Sequence, residues 1–195
     1  MIRRLALALA MCALVAVGAV AQQPVDSAYT RQISAATSEP RFNSDLTDYL
    51  PADQRIPTPL AVLGYVPGTV GRLSRVADIN RYFRALAASS PRVHVFSIGL
   101  SDEGREMIAA AFADSATIAS LDSYREITRR LADPRGLSEQ EARTLIGRGK
   151  PIYYVTGSIH SPETGSPEML LELAYRLVVD EGAMYRNIRE HEVVL

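Results

Sequence analysis

The sequence predicts an α/β fold in which a mixed sheet is flanked by helices. Short runs rich in β-forming residues alternate along the chain with longer stretches whose apolar residues recur at helical spacing. Glycine, proline and aspartate separate the two kinds of segment. The 195 residues are 47% hydrophobic and carry a formal net charge of −1, which is the composition of a globular domain.

The first 21 residues predict a secretory signal peptide. Arg3 and Arg4 precede an uncharged apolar stretch over residues 5–21, which closes on small residues before Gln22. A membrane anchor is the alternative, but the polar residues after position 21 do not supply the charged flank that an anchor usually has. Cleavage is therefore favoured, and it predicts a secreted or periplasmic protein that does not contact the membrane afterwards.

Charge and cysteine content exclude several kinds of partner and site. Lys and Arg are scattered among Asp and Glu without a basic cluster in the mature chain, so nucleic acid is not an expected partner. Cys12 is the only cysteine and would be lost with the signal peptide. Any metal site must then use His, Asp or Glu, with imidazoles from His94, His160 and His191 alone.

Residues 22–71 predict a proline-rich leader that lies extended over the domain formed by residues 72–195. Six prolines interrupt the leader and exclude long helices and central strands. From Ser74 onwards, apolar residues recur at helical spacing and predict a surface helix that ends before Pro91.

A β-hairpin is predicted next, followed by two helices. Residues 92–99 and 106–112 are the β-forming runs, and the Asp and Gly residues between them favour a reversal of the chain. Residues 121–131 carry a helical apolar stripe. Ser138 is followed by an acid at the spacing of a capping box, which predicts a second helix as far as about Arg148.

The last third of the chain predicts a strand, a loop and a helix. Residues 151–157 form a short apolar run that is typical of a strand buried in a sheet, and ligands gather beyond the carboxyl ends of such strands. Ser166 is expected to cap the following helix, with Pro167 at its first position. Residues 193–195 predict another strand, which would leave a sheet edge open. The buried face of the helix is expected to consist of Met169, Leu170, Leu173, Ala174, Leu177 and Val178.

His160 and Glu163 lie in the loop after the predicted strand. An imidazole nitrogen and a carboxylate oxygen three residues apart suit zinc, and a catalytic zinc takes three protein ligands and a water. The spacing is common by chance, however. The spacing alone leaves two alternatives open. His160 could be a loop histidine that is hydrogen-bonded to the backbone, and Glu163 could be an acid that is favoured by the dipole of the next helix.

Two motifs occur in order along the chain. Residues 98–105 end in Glu-Gly-Arg within the predicted hairpin turn, and residues 159–169 contain H-x-x-E before a helix. Together they resemble the zinc metallocarboxypeptidase family related to carboxypeptidase A, especially its exported bacterial branch. The resemblance runs from Tyr82 to Leu195. It implies a partial, truncated zinc-carboxypeptidase-like fold of the phosphorylase/hydrolase-like type, of which residues 72–195 would be the N-terminal part.

The resemblance also implies a function. His160 and Glu163 match the first two ligands of one zinc ion, and Arg105 matches the arginine that holds the substrate's backbone near the scissile bond. The third ligand and the general base would follow residue 195, so no catalytic residue is expected here. The implied activity is zinc-dependent hydrolysis of peptide bonds in a peptide or protein substrate, with this chain inactive alone.

Other interpretations remain open. A catalytically inactive exported relative could bind peptides, a zinc amidase or deacylase could act on acylated amino acids, and an exported scaffold could bind no metal. Arg105 could instead pair with an acid in its own turn, Asp102 or Glu103. His191 is a weaker candidate for a third ligand, and Glu168 is expected to be an acid favoured by the helix dipole.

Overall fold

A computed structural model describes residues 23–195 of the protein. The predicted signal peptide, residues 1–21, lies outside the described residues. Within residues 23–195, no helix combines the length and the apolar character that crossing a membrane requires.

The leader contains more regular structure than the sequence predicted. Its elements are α1 (Ser27–Ala36), a 3₁₀ helix (Pro40–Phe42) and α2 (Pro59–Leu63). Helix α1 was not predicted, and it fits into the stretch without proline between Pro24 and Pro40. The carboxylate of Asp26 starts this helix by accepting hydrogen bonds from the N–H groups of the next turn.

The leader packs into the main hydrophobic core rather than only lying over it. Tyr29 and Leu50 are fully buried, and they belong to the same cluster as Tyr82 and Tyr175 from the rest of the chain. The hydroxyl of Tyr175 also donates a hydrogen bond to the carbonyl of Pro51 in the leader at 3.0 Å. The leader therefore supplies part of the apolar burial that stabilises the domain.

The predicted surface helix and hairpin are confirmed. Helix α3 (Val76–Ser89) precedes the antiparallel strands β1 (Val93–Leu100) and β2 (Glu106–Phe112). The register of the pair shifts between Ser97 and Gly99, near the hairpin turn, as it does at a β-bulge.

Three helices follow the hairpin, and the two that the sequence predicted are confirmed. They are α4 (Ser115–Ala119), α5 (Leu121–Ala132) and α6 (Glu139–Arg148). The capping box of α6 is present, because the Ser138 hydroxyl and the Glu141 carboxylate each accept a hydrogen bond from the other residue's backbone N–H.

The sheet has the strand order β1-β2-β4-β3, in which β3 is Ile152–Tyr153 and β4 is Val193–Val194. Strand β4 pairs antiparallel with β2 and parallel with β3, so the predicted mixed sheet is confirmed. Two details of the prediction were wrong. Strand β3 is short and exposed, with Tyr153 64% accessible, because within residues 23–195 a strand pairs with only one of its sides. Residues 193–195 do not form the open edge, because β4 lies between β2 and β3.

Helix α7 (Gly165–Val179) begins earlier than predicted, and α8 (Ala183–His191) follows it. Thr164, rather than Ser166, precedes the first helical residue, and Pro167 takes the third position. Proline is tolerated there because the first four N–H groups of a helix have no partner within the helix. The predicted buried face was incomplete. Met169 is exposed, whereas Leu171 and Tyr175 are fully buried, because the leader covers a second face of α7.

Candidate metal site

The candidate site is the loop between β3 and α7, and a close backbone approach fixes its start. A Cβ atom on Gly157 would lie 2.8 Å from Cδ1 of Leu170 and 3.3 Å from Cα of Pro167. Only glycine lets the chain pass this close to the first turns of α7. The loop that follows is therefore held directly against the helix.

The loop backbone is tightly turned. Ser158 has a φ angle of 75°, and it is the one residue other than glycine with a positive φ in residues 23–195. Its hydroxyl donates a hydrogen bond to the carbonyl of His160. The same carbonyl accepts the N–H of Glu163 at 3.0 Å. A strained residue held by its surroundings is a feature often found at functional sites.

His160 and Glu163 converge. The Nδ1 atom of His160 lies 3.0 Å from Oε1 of Glu163. Both side chains are open to solvent, with accessible fractions of 71% and 57%. Two ligand atoms at about 2.1 Å from one tetrahedral ion are roughly 3.4 Å apart, so the observed separation needs only a small adjustment to admit zinc. The nitrogen and oxygen donors thus fit a zinc ion as two of its ligands.

No third ligand joins them among residues 23–195, where no group of three His, Cys, Asp or Glu side chains is placed to hold a metal ion. His191 lies in the last turn of α8, and its Nδ1 atom is 3.0 Å from the backbone carbonyl of Asn187. The described part of the chain therefore brings two candidate metal ligands together at this place, and His191 does not join them.

Arg105 lies in the hairpin turn, which is closed by hydrogen bonds between Ser101 and Arg105. Its guanidinium forms an ion pair with Glu103, as one of the alternative interpretations expected, yet the side chain remains 69% exposed. Arg105 also lines a largely apolar groove of about 520 Å³. Gly157 and Pro167, which flank the loop of His160 and Glu163, line the same groove. The two predicted metal ligands do not line it.

Glu168 is the residue near the site whose role the sequence analysis missed. It lies in the first turn of α7, as an acid favoured by the helix dipole would. It is also buried, and its carboxylate accepts the N–H groups of Gly68 at 3.1 Å and Ser74 at 2.6 Å. A signal was present in the sequence, since charged residues recur every four positions from Glu168 along an otherwise apolar helix.

Comparison with known proteins agrees with this fold. A family model described as zinc carboxypeptidase matches residues 79–194, which is more than half of the chain. The match includes Arg105, His160 and Glu163. Comparisons with curated proteins and with solved structures gave no match. The chain therefore belongs to the zinc carboxypeptidase family.

Proposed function

We propose that His160 and Glu163 are two ligands of a single zinc ion and that the protein serves in the zinc-dependent hydrolysis of peptide bonds. Membership of the family supports a peptidase-type hydrolase. The observation that carries the residue assignment is the 3.0 Å separation of the His160 and Glu163 side chains, in a loop where both are open to solvent.

In this proposal, His160 and Glu163 bind the metal and Arg105 binds the substrate. A bound zinc ion supplies polarisation of the scissile carbonyl and a more acidic water. His160 and Glu163 hold the ion, and the close packing at Gly157 keeps their loop against α7. Arg105 donates hydrogen bonds to a backbone carbonyl of a peptide that lies along the apolar groove.

We infer that this chain alone turns over peptides very slowly or not at all. Catalytic zinc sites use three protein ligands, whereas residues 23–195 bring two together. The reaction also needs a general base, and the two ligands are committed to the metal. Full peptidase turnover by the purified chain would contradict this inference.

Metal titration of the purified chain tests the ligand assignment. His160→Ala and Glu163→Gln should each weaken zinc binding about tenfold or more in calorimetry, because either change removes one of two protein ligands. His191→Ala is the matched control, since it removes an exposed imidazole on α8. Equal zinc affinity of His160→Ala and the parent chain would refute the assignment.

A peptide-binding protein without catalytic activity is the second candidate, favoured by the apolar groove with an exposed arginine at its margin. It predicts that peptides bind and are not cleaved, even when the metal site is filled. A zinc amidase or deacylase instead predicts cleavage of acylated amino acids in preference to peptides. A panel of both substrate classes, assayed with the longest natural form of the protein, separates the three.

We also propose that the protein is exported and that residues 1–21 are removed. The mature protein would then be secreted or periplasmic and would begin at Gln22. N-terminal sequencing of protein recovered from outside the cytoplasm tests this, and a start at Met1 would contradict it.

A further inference from the structure

Helix α7 carries a stripe of charged residues along one face. Its members are four residues apart, which places them one above another on a helix. They are Glu168, Glu172 and Arg176 within the helix and Asp180 at its C-cap. Three of them are buried, with only 1% of Asp180 accessible. Buried charges are unfavourable unless they are paired and hydrogen-bonded, so this face requires specific partners.

The leader provides partners at the C-terminal end of the stripe. Arg176 donates a hydrogen bond to the carbonyl of Tyr49, and its guanidinium lies 5.1 Å from the centre of the Tyr49 ring. The Tyr49 hydroxyl donates to Asp180 at 3.4 Å. Gln23 adds a hydrogen bond to the carbonyl of Val179 at 2.9 Å. The leader is thus aligned with α7 by polar contacts as well as by apolar packing.

Glu168 provides the corresponding contact at the N-terminal end of α7. Its two oxygens accept the N–H groups of Gly68 and Ser74, so one carboxylate bridges the two ends of the segment 68–74, where the leader joins the rest of the domain. Hydrogen bonds to an ionised acceptor are short and strong, and two of them fix both position and orientation. Residue 168 is also only five positions after Glu163, in the turn that the metal-site loop enters.

We propose that Glu168 is a positioning residue for the loop of His160 and Glu163. Glu168 ties the first turn of α7 to residues 68–74. This contact fixes the position and direction of the helix start, which the loop of His160 and Glu163 enters. Groups that orient metal ligands without touching the metal commonly change metal affinity when they are altered. This inference rests on the proposed function, because it assumes that His160 and Glu163 bind zinc.

The test compares zinc and cobalt binding by the full chain and by its Glu168→Gln variant. The substitution keeps the size of the side chain, but the amide offers one accepting oxygen in place of two. Zinc affinity should fall about tenfold or more, and the visible spectrum of bound cobalt should change, while thermal unfolding remains cooperative. If Glu168→Gln does not fold, Glu168→Asp is the second variant. It keeps the charge but shortens the side chain by one methylene, and it should cause the same loss of zinc affinity and the same change in the cobalt spectrum.

Two control variants distinguish a positioning role of Glu168 from a general loss of protein stability. Tyr49→Phe removes the hydrogen bond to Asp180 at the far end of α7, so it should lower stability and leave zinc affinity and the cobalt spectrum unchanged. Glu190→Gln removes an exposed carboxylate on α8 and should leave stability, zinc affinity and the cobalt spectrum unchanged.

The possible failures are distinguishable. If His160→Ala loses zinc and Glu168→Gln binds it like the parent chain, the positioning role is wrong and the proposed function stands. A loss of zinc affinity in Tyr49→Phe equal to that in Glu168→Gln would also overturn the positioning role. If His160→Ala binds zinc like the parent chain, the proposed function fails and this inference fails with it.

Discussion

Lys150 donates a hydrogen bond from Nζ to Oδ2 of Asp114 at 3.0 Å. Asp114 is the N-cap of α4 and also accepts the backbone N–H and the hydroxyl of Thr117. Lys150 precedes β3, and its ammonium lies 5.7 Å from the centre of the Tyr124 ring. This pair therefore ties the helical layer of α4 and α5 to the start of the sheet's edge strand.

Asp114→Ala should lower the free energy of unfolding by about 2 kcal/mol, because it removes a helix cap and the partner of a largely buried ammonium. Urea unfolding at pH 7 measures this. Asp122→Ala is the control, since Asp122 is an exposed acid in the first turn of α5, and its effect should stay within about 0.5 kcal/mol.

The same carboxylate predicts a pH dependence. Burial alone would raise the pKa of Asp114, but the hydrogen bonds from Thr117 and Lys150 outweigh burial and lower the pKa to about 2. The folded pKa is below the ordinary value of 3.8, so the stabilisation is complete above about pH 4 and is lost as the pH falls towards 2. The difference in stability between the parent chain and Asp114→Ala should shrink over that interval. A difference that stays constant would contradict this.

Gly157→Ala should destabilise the protein by about 1–3 kcal/mol, because the added methyl group meets Leu170 and the backbone at Pro167. It should also weaken zinc binding by displacing the loop. Gly147→Ala, in the last turn of α6, is the matched control. Nothing lies within 4 Å of its added Cβ, so it should stabilise by up to about 1 kcal/mol. Thermal unfolding of both variants provides the comparison, and equal effects would refute the close-approach argument.

Arg176→Ala should lower the free energy of unfolding by about 3–5 kcal/mol, because it leaves the buried carboxylate of Asp180 without its cation. Chemical unfolding measures the loss. Arg143→Ala breaks a Glu–Arg pair with the same spacing on the exposed surface of α6, and should change stability by less than about 0.5 kcal/mol. A small effect of Arg176→Ala would show that the leader is not held by the charged stripe of α7.

Arg105→Ala should weaken the binding of a peptide to the chain about tenfold while leaving the unfolding temperature nearly unchanged. The guanidinium is exposed, so its loss costs little stability, whereas a charged hydrogen bond to the peptide is lost. Fluorescence anisotropy with a labelled apolar peptide measures the affinity. Arg125→Ala on α5 removes an exposed arginine away from the groove and serves as the control. Unaltered peptide affinity in Arg105→Ala would remove this residue from the site.

Some of the fold could be predicted because its signals are local. The hairpin follows from two β-forming runs around a turn, and α6 follows from a capping box that Ser138 and Glu141 complete between themselves. The convergence of His160 and Glu163 is also local, since they are three positions apart in a tight turn. The family resemblance is the basis for proposing that this pair binds zinc.

Other features could not be predicted because they depend on contacts distant in sequence. An apolar run such as residues 151–157 does not reveal how many strands flank it. Strand β3 was therefore expected in the interior, whereas it lies at an edge of the sheet that residues 23–195 form. In the sequence, Glu168 resembles an ordinary acid in the first turn of a helix. Its contacts with residues 68 and 74, about a hundred positions earlier, are visible only in the structure.

The sequence by itself thus determined the α/β class, the hairpin, the helices α3, α5 and α6, and the local pairing of the candidate metal ligands. Only the tertiary structure decided the order of the strands, the second buried face of α7 and the role of the leader. The physical reason is that periodicity and capping act within a few residues. The partners of a buried charge such as Asp180 instead come from segments that are distant in sequence and close in space.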